Sequence, residues 1–193
     1  MWAKVENNQV VKVNSRLESF SSAAPAWNAA QRAANGIYEV VYDTSNLKDT
    51  RFYINGAESF TFANDRVTAS YAPATGKALD DVNAVDEDNN PVLDEDGVQV
   101  VTPGVKTNEK NQIKAQAAGL LKSTDWYVVR NAESGTAIPA DVTTFRTAVR
   151  TKSNEMETAI DNAATIEAVE ALFTYTIGSD DESSRPLGEW PKL

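Results

Sequence analysis

Carboxylates are the only side chains of this chain abundant and clustered enough to suggest chemistry. Asp80, Asp81, Asp86, Glu87, Asp88, Asp94, Glu95 and Asp96 fall in one stretch with no Lys or Arg among them. Asp86-x-Asp88-x-Asn90 has the spacing that opens a calcium loop, which is completed by Gly at the sixth place and a bidentate Glu at the twelfth. Those places hold Pro91 and Gly97, so the loop is incomplete, and the expectation is a pair of turns with solvated carboxylates. A glycosidase would need two acids about 5 to 10 Å apart in a cleft. With 28 acids in the chain any pair can be found, and none stands in a Gly-rich or aromatic sugar-binding context. Lys122-Ser123 is a local pair, but adjacent residues do not share a helix face, and Ser123 reads better as a cap. Histidine and cysteine are absent. That removes imidazole bases, thiolate nucleophiles, His or Cys metal sites and disulfides. There is no glycine-rich phosphate loop. The expectation is no catalytic, cofactor-binding or metal-ligating residue and no cofactor.

The acidity is local. The net charge is −10, and apart from the eight clustered acids the chain sets 18 bases against 20 acids. Nucleic-acid binding rests on clustered Lys and Arg, so no nucleic-acid partner is expected, and an anionic membrane surface would repel this chain. No run approaches eighteen apolar residues, and the N-terminus lacks a basic segment followed by an apolar one. The expectation is therefore neither a membrane span nor a secretory signal. With 193 residues, 41% apolar and 24% charged, the chain suits one ordinary domain or two small ones with a packed core.

The first half is β-rich. Residues 2–14 predict a hairpin turning at Asn7-Asn8, residues that tolerate positive φ. A short helix is expected over residues 25–34, with Pro25 in its first turn and Asn35-Gly36 as the stop. Ile37–Tyr42, Phe52–Ile54, Ser59–Phe62 and Val67–Tyr71 read as strands of an antiparallel meander, with Asn55-Gly56 and Asn64-Asp65 as turn signals. The aromatics Tyr38, Tyr42, Phe52, Tyr53, Phe60, Phe62 and Tyr71 are expected to cover one face. Residues 77–104 form the acidic loop segment. Asp86–Val92 is loosely echoed by Asp94–Val98, which reads as two successive turns rather than a repeat. Thr102-Pro103-Gly104 closes this part.

Beyond Gly104 the period becomes helical: Ile113, Ala117, Leu120 and Leu121 share a face. Ser123, Thr124 and Asp125 are good caps for a helix carrying Trp126, Val129 and Ala132, and Gly135 stops it. Pro139 opens a longer helix with Val142, Phe145, Val149, Met156 and Ile160 on one stripe, interrupted by Lys152. Thr165 caps a last short helix. Trp126 is expected in the core with Leu121 and Phe145, and Arg130 is expected to pair with Glu133. Five residues are candidate partner contacts. Tyr127 lies at the edge of the core or on a partner surface. Arg146 and Arg150 lie one helical turn apart and could meet the acidic segment of a neighbouring subunit. Leu187 and Trp190 are apolar residues in a polar, Pro-containing tail, which suggests that the tail docks. The fold class is α+β: an antiparallel β-rich module over residues 1–104, a helical hairpin or bundle over 105–177 and a polar tail over 178–193.

Leu120-Leu121, Thr124-Asp125-Trp126, Arg130, Ile138-Pro139 and Val142–Arg146, together with the opening Met1–Val11, resemble the tail fibre assembly and tail chaperone-like proteins of tailed bacteriophages. The resemblance covers about half the chain. It implies no catalysis. It implies a small structural or adaptor part of a phage tail, associated with a fibre or the baseplate and placed in the virion, with the host cytoplasm as the site of assembly. Its partners would be other tail proteins and further copies of itself. The β-rich stretch from Ile37 to Val101 exceeds what a minimal assembly chaperone needs, which favours a part that remains in the particle. A transient fibre assembly chaperone is the alternative, and a glycan-degrading tail enzyme a remote one. Apolar surface left along Val142, Phe145, Val149 and Met156 is expected to supply association.

Overall fold

The computed structural model describes residues 1–178 and 181–193 and has an α+β fold. It divides into two compact units, Met1–Thr75 and Gly76–Leu193. The first carries seven basic and seven acidic residues, so the whole net charge resides in the second.

The N-terminal unit is built on a five-stranded sheet in the order β2-β1-β3-β6-β5. β1 (Trp2–Glu6) and β2 (Gln9–Asn14) form the expected hairpin, with Asn7 and Asn8 at φ 51° and 62°. α1 (Ala29–Ala34) leads into β3 (Ile37–Tyr42). This helix begins four residues later than Pro25 suggested. The reason is a capping box at Asn28, whose side chain accepts from the Gln31 N–H while Gln31 reaches back to the Asn28 N–H. Pro25 sits instead in a separate 3-10 turn, Ala24–Ala26. β4 (Tyr53–Ile54) is a short strand in the connection to β5 (Glu58–Ala63) and β6 (Arg66–Tyr71), which form a second hairpin turning at Asn64 and Asp65, φ 51° and 54°.

The sheet is not a pure antiparallel meander, because β3 and β6 run parallel, pairing Val40 with Val67 and Tyr42 with Ala69. β5 is thereby placed at the edge, and the sheet curls until β5 approaches β2. Ala3, Val5, Val40, Val67 and Ala69 form the core on one face, with Tyr38, Phe60 and Phe62 packed against them. The registers put Tyr42 and Tyr71 on this face as well. Phe52 and Tyr53 do not join it; both are buried in the connecting segment.

β7 (Thr75–Gly76) straddles the boundary, and the C-terminal unit holds the short strands β8 (Val82–Asn83) and β9 (Val101–Thr102), then four helices. These are α2 (Val105–Lys122), α3 (Asp125–Ser134), α4 (Ala140–Asn162) and α5 (Ile166–Phe173). Residues 77–104 belong with these helices and not with the β-rich module, since the segment is bonded to the start of α2. Gly104 N–H donates to Asp81 (2.8 Å), Val105 and Lys106 N–H groups donate to the Ala78 and Leu79 carbonyls, and Lys106 pairs with Asp80. α2 and α4 run antiparallel: Lys110 reaches Asp161, Lys114 reaches Glu157, and Ala117 packs with Phe145 and Val149.

Val142, Phe145, Val149, Met156 and Ile160 do form the inner stripe of α4, and all are buried within this chain. They therefore leave no apolar surface for association, contrary to the expectation above. The helix punctuation is as expected at Gly135 (φ 69°), at Pro139, and at Thr165, whose hydroxyl accepts from Ala168. β10 (Thr176–Ile177), just before the tail, pairs antiparallel with β11 (Ser183–Ser184) in it. Ser179 and Asp180 of the expected tail lie outside the described residues.

Candidate functional site

Three surfaces of the C-terminal unit collect the residues that could carry function: the acidic arm over residues 80–102, the exposed face of α3, and the α2–α4 groove.

The arm is a repeat. Asp86 Oδ1 accepts from the N–H groups of Asp88 (2.9 Å) and Asn90 (2.8 Å); Asp94 Oδ1 accepts from those of Asp96 (3.0 Å) and Val98 (2.8 Å). Each Asp N–H in turn bonds the carbonyl four residues on, and the positive-φ position is Asn89 in one turn and Gly97 in the other. The backbone N–H groups of the two turns thus match bond for bond at an offset of eight residues, and only the Asn90 amide bond to Asp86 lacks a counterpart, at Val98, so the sequence echo is a true structural repeat. The same offset relates Ala84, Val92 and Val100, whose backbones close a ring: Ala84 N–H to Val100, Val100 to Val92, and Val92 to Ala84. The Gln99 Nε2 lies within hydrogen-bond distance of all three carbonyls, at 2.7 to 3.1 Å. This device could have been found in the sequence from the eight-residue recurrence of [Val/Leu]-Asp-Glu-Asp. It orders a segment that has no apolar core of its own. Val85, Val92, Leu93, Val98 and Val101 all point to solvent.

Hydrogen bonds pull two carboxyls of this region downward. Asp81 is held below the usual carboxylate range by the Gly104 N–H and then by the Thr107 hydroxyl, and Asp86 by the backbone and then the side chain of Asn90. A general acid working near neutral pH needs the opposite shift. Among the described residues, no group of three or more Asp and Glu side chains is arranged to hold a metal ion.

On α3 the sequence expectation reverses. Trp126 is 51% exposed, and Val129 is exposed beside it. Trp126 stacks on Tyr127 with ring centroids 3.8 Å apart, and the Arg130 guanidinium lies over both rings at 4.7 and 5.3 Å. Among the described ion pairs none joins Arg130 to Glu133. The interior position foreseen for Trp126 is taken by a polar node. Thr124 is 1% exposed; its hydroxyl bonds the Leu121 carbonyl (2.8 Å) and accepts from Arg146 Nη1 (2.6 Å) instead of capping α3. Arg146 also donates to the Leu121 carbonyl and pairs with Asp125 at 2.9 Å.

The five candidate contact residues therefore separate. Arg146 is buried and serves the α2–α3 turn, not a partner surface. Leu187 is 2% exposed and fills the core between Ile113, Met156 and Ile160, with its N–H on the Leu172 carbonyl. Trp190 Nε1 donates to Gln116 at 2.9 Å. The tail does dock, and what it docks on is this chain's own helices. Tyr127 is half-buried under Trp126, and Arg150 is exposed. Arg150 lines the α2–α4 groove, about 340 Å³, with Lys114, Ala117, Ala118 and Leu121. A larger open groove of about 630 Å³ runs along the threonine-rich outer face of α4 beside Glu189 and Pro191.

No protein family matches this chain. No curated protein and no solved structure matches it either. No helix of the described residues is long and apolar enough to cross a membrane.

Proposed function

We propose that this protein is a structural adaptor of a bacteriophage tail, associated with a fibre or the baseplate and working through protein contacts without making or breaking bonds. The supporting observation is the node at Leu121, Thr124 and Arg146. Three of the residues that carry the family resemblance are thereby committed to shaping a turn between helices, with the aromatic ledge and the groove beside that turn and the arm at the other end of α2. Such an inventory suits docking. The carboxyls whose acidity is shifted serve as hydrogen-bond acceptors for their own loops, which suits a passive part.

Mass spectrometry of purified particles tests this reading. An adaptor is present at fixed stoichiometry with the fibre or baseplate proteins. Its absence from particles, with presence in the infected cell, would replace the adaptor by a transient assembly chaperone. Release of reducing ends from host polysaccharide by the purified protein would replace both by an enzyme.

A further inference from the structure

The geometry points to a head-to-tail contact between copies of this chain, in which the acidic arm of one molecule seats in the α2–α4 groove of the next. The contact deepens the adaptor reading and rests on its premise that the protein works by docking.

The arm is preorganised for insertion. Asp86 and Asp94 turn inward to hold their own loops. Glu87, Asp88, Glu95 and Asp96 remain exposed, beside the exposed apolar tips Leu93 (55%) and Val98 (59%). Because the Gln99 ring fixes the backbone, little ordering entropy remains to oppose docking. Apolar tips held in the open with carboxylates around them fit a receptor with a small apolar floor and a cationic rim.

The groove has that chemistry. It is lined by the apolar Ala117, Ala118 and Leu121, by the cationic Lys114 and Arg150, and by Ser153 and Asn154. Lys114 is engaged with Glu157 at 3.3 Å. Arg150 makes one long bond, 3.5 Å, to the Arg146 carbonyl, and among the described ion pairs none includes it. Its guanidinium is thus available for a planar, bidentate carboxylate contact. Among the described interactions, no hydrogen bond or ion pair joins arm residues 82–101 to Lys114 or Arg150 of the same molecule. The arm springs from Gly104, and Lys114 to Leu121 lies ten to seventeen residues further along α2, about 15 to 25 Å at the helical rise. Donor and acceptor are different patches of one molecule, so the contact is heterologous, and it produces a ring or a filament. Opposite charges favour this register over arm-to-arm or groove-to-groove pairing.

Sedimentation equilibrium of the full chain tests this, at about 50 mM and about 500 mM salt, where screening differs several-fold. The mass is expected to rise above 21.0 kDa with concentration at low salt and to fall back at high salt. Arg150→Glu and the arm double change Glu95→Lys with Asp96→Lys each weaken association at least tenfold. All three positions are described and exposed, so circular dichroism should be unchanged. Combining the two changes in one chain restores association, because the charges are exchanged. A 21.0 kDa species at every concentration overturns the contact. So does association that survives both single reversals, or one that the combined chain fails to recover. Presence of the protein in purified particles is unaffected by any of these outcomes, so the adaptor reading stands or falls separately.

Discussion

The arm and the helical core of the C-terminal unit solve the same problem in opposite ways. Both must hold backbone polar groups in fixed places. The core does it by burial: Ile113, Met156, Ile160 and Leu187 exclude water, and Arg146, drawn inside at the turn, finds Thr124, the Leu121 carbonyl and Asp125. The arm buries almost nothing. It recruits its own carboxylates and one glutamine amide to satisfy the backbone in contact with water. Order in the core should therefore be sensitive to volume, and order in the arm to hydrogen-bond chemistry and pH.

The largest test of that contrast is Met156→Ala. Met156 is fully buried, so the cavity should cost about 2–5 kcal/mol, read as a fall in the denaturant midpoint of the helical signal. Thr124→Val comes next. It preserves shape but removes the oxygen that receives Arg146, and an unsatisfied buried polar group costs about 1–3 kcal/mol. Gln99→Leu should leave the helical midpoint within about 0.5 kcal/mol, as for surface changes, yet speed amide exchange at Ala84, Val92 and Val100. A large fall in midpoint would mean that the arm is part of the core after all.

The smallest effect is the response to acid. Asp81 and Asp86 are held below their ordinary range by the Gly104 and Asn90 N–H groups. Their folded values lie under their unfolded ones. The stabilisation is therefore complete above the ordinary carboxylate value, about pH 4. It is lost as pH falls through the depressed folded values. The amide resonances of Asn90 and Gly104 should hold steady from pH 7 to 5 and move only in stronger acid; movement near pH 6 would contradict the assignment.

Much of the fold was legible because its signals are local. Asn7-Asn8 and Asn64-Asp65 announce their turns through tolerance of positive φ, and Gly135, Pro139 and Thr165 punctuate helices through backbone chemistry confined to one or two residues. The parallel β3–β6 pair was not legible, because a register between strands far apart in the chain leaves no local mark. Trp126 misled for a related reason. Size and apolarity argue for burial, but Thr124 and Arg146, 22 residues apart, had already claimed the interior. The surfaces proposed to dock were half visible: the acids stood out, while the groove lined by α2 and α4 exists only once those helices are brought antiparallel.

Gly104 links these themes. A Cβ at this position would stand 2.4 Å from the Asp80 carbonyl group, so the chain there has no room for any other residue without displacing its neighbour. The arm is thus welded to the first turn of α2 rather than hung from a swivel. A swing of the arm about this point would have to break the bonds that Gly104, Val105 and Lys106 make to residues 78–81.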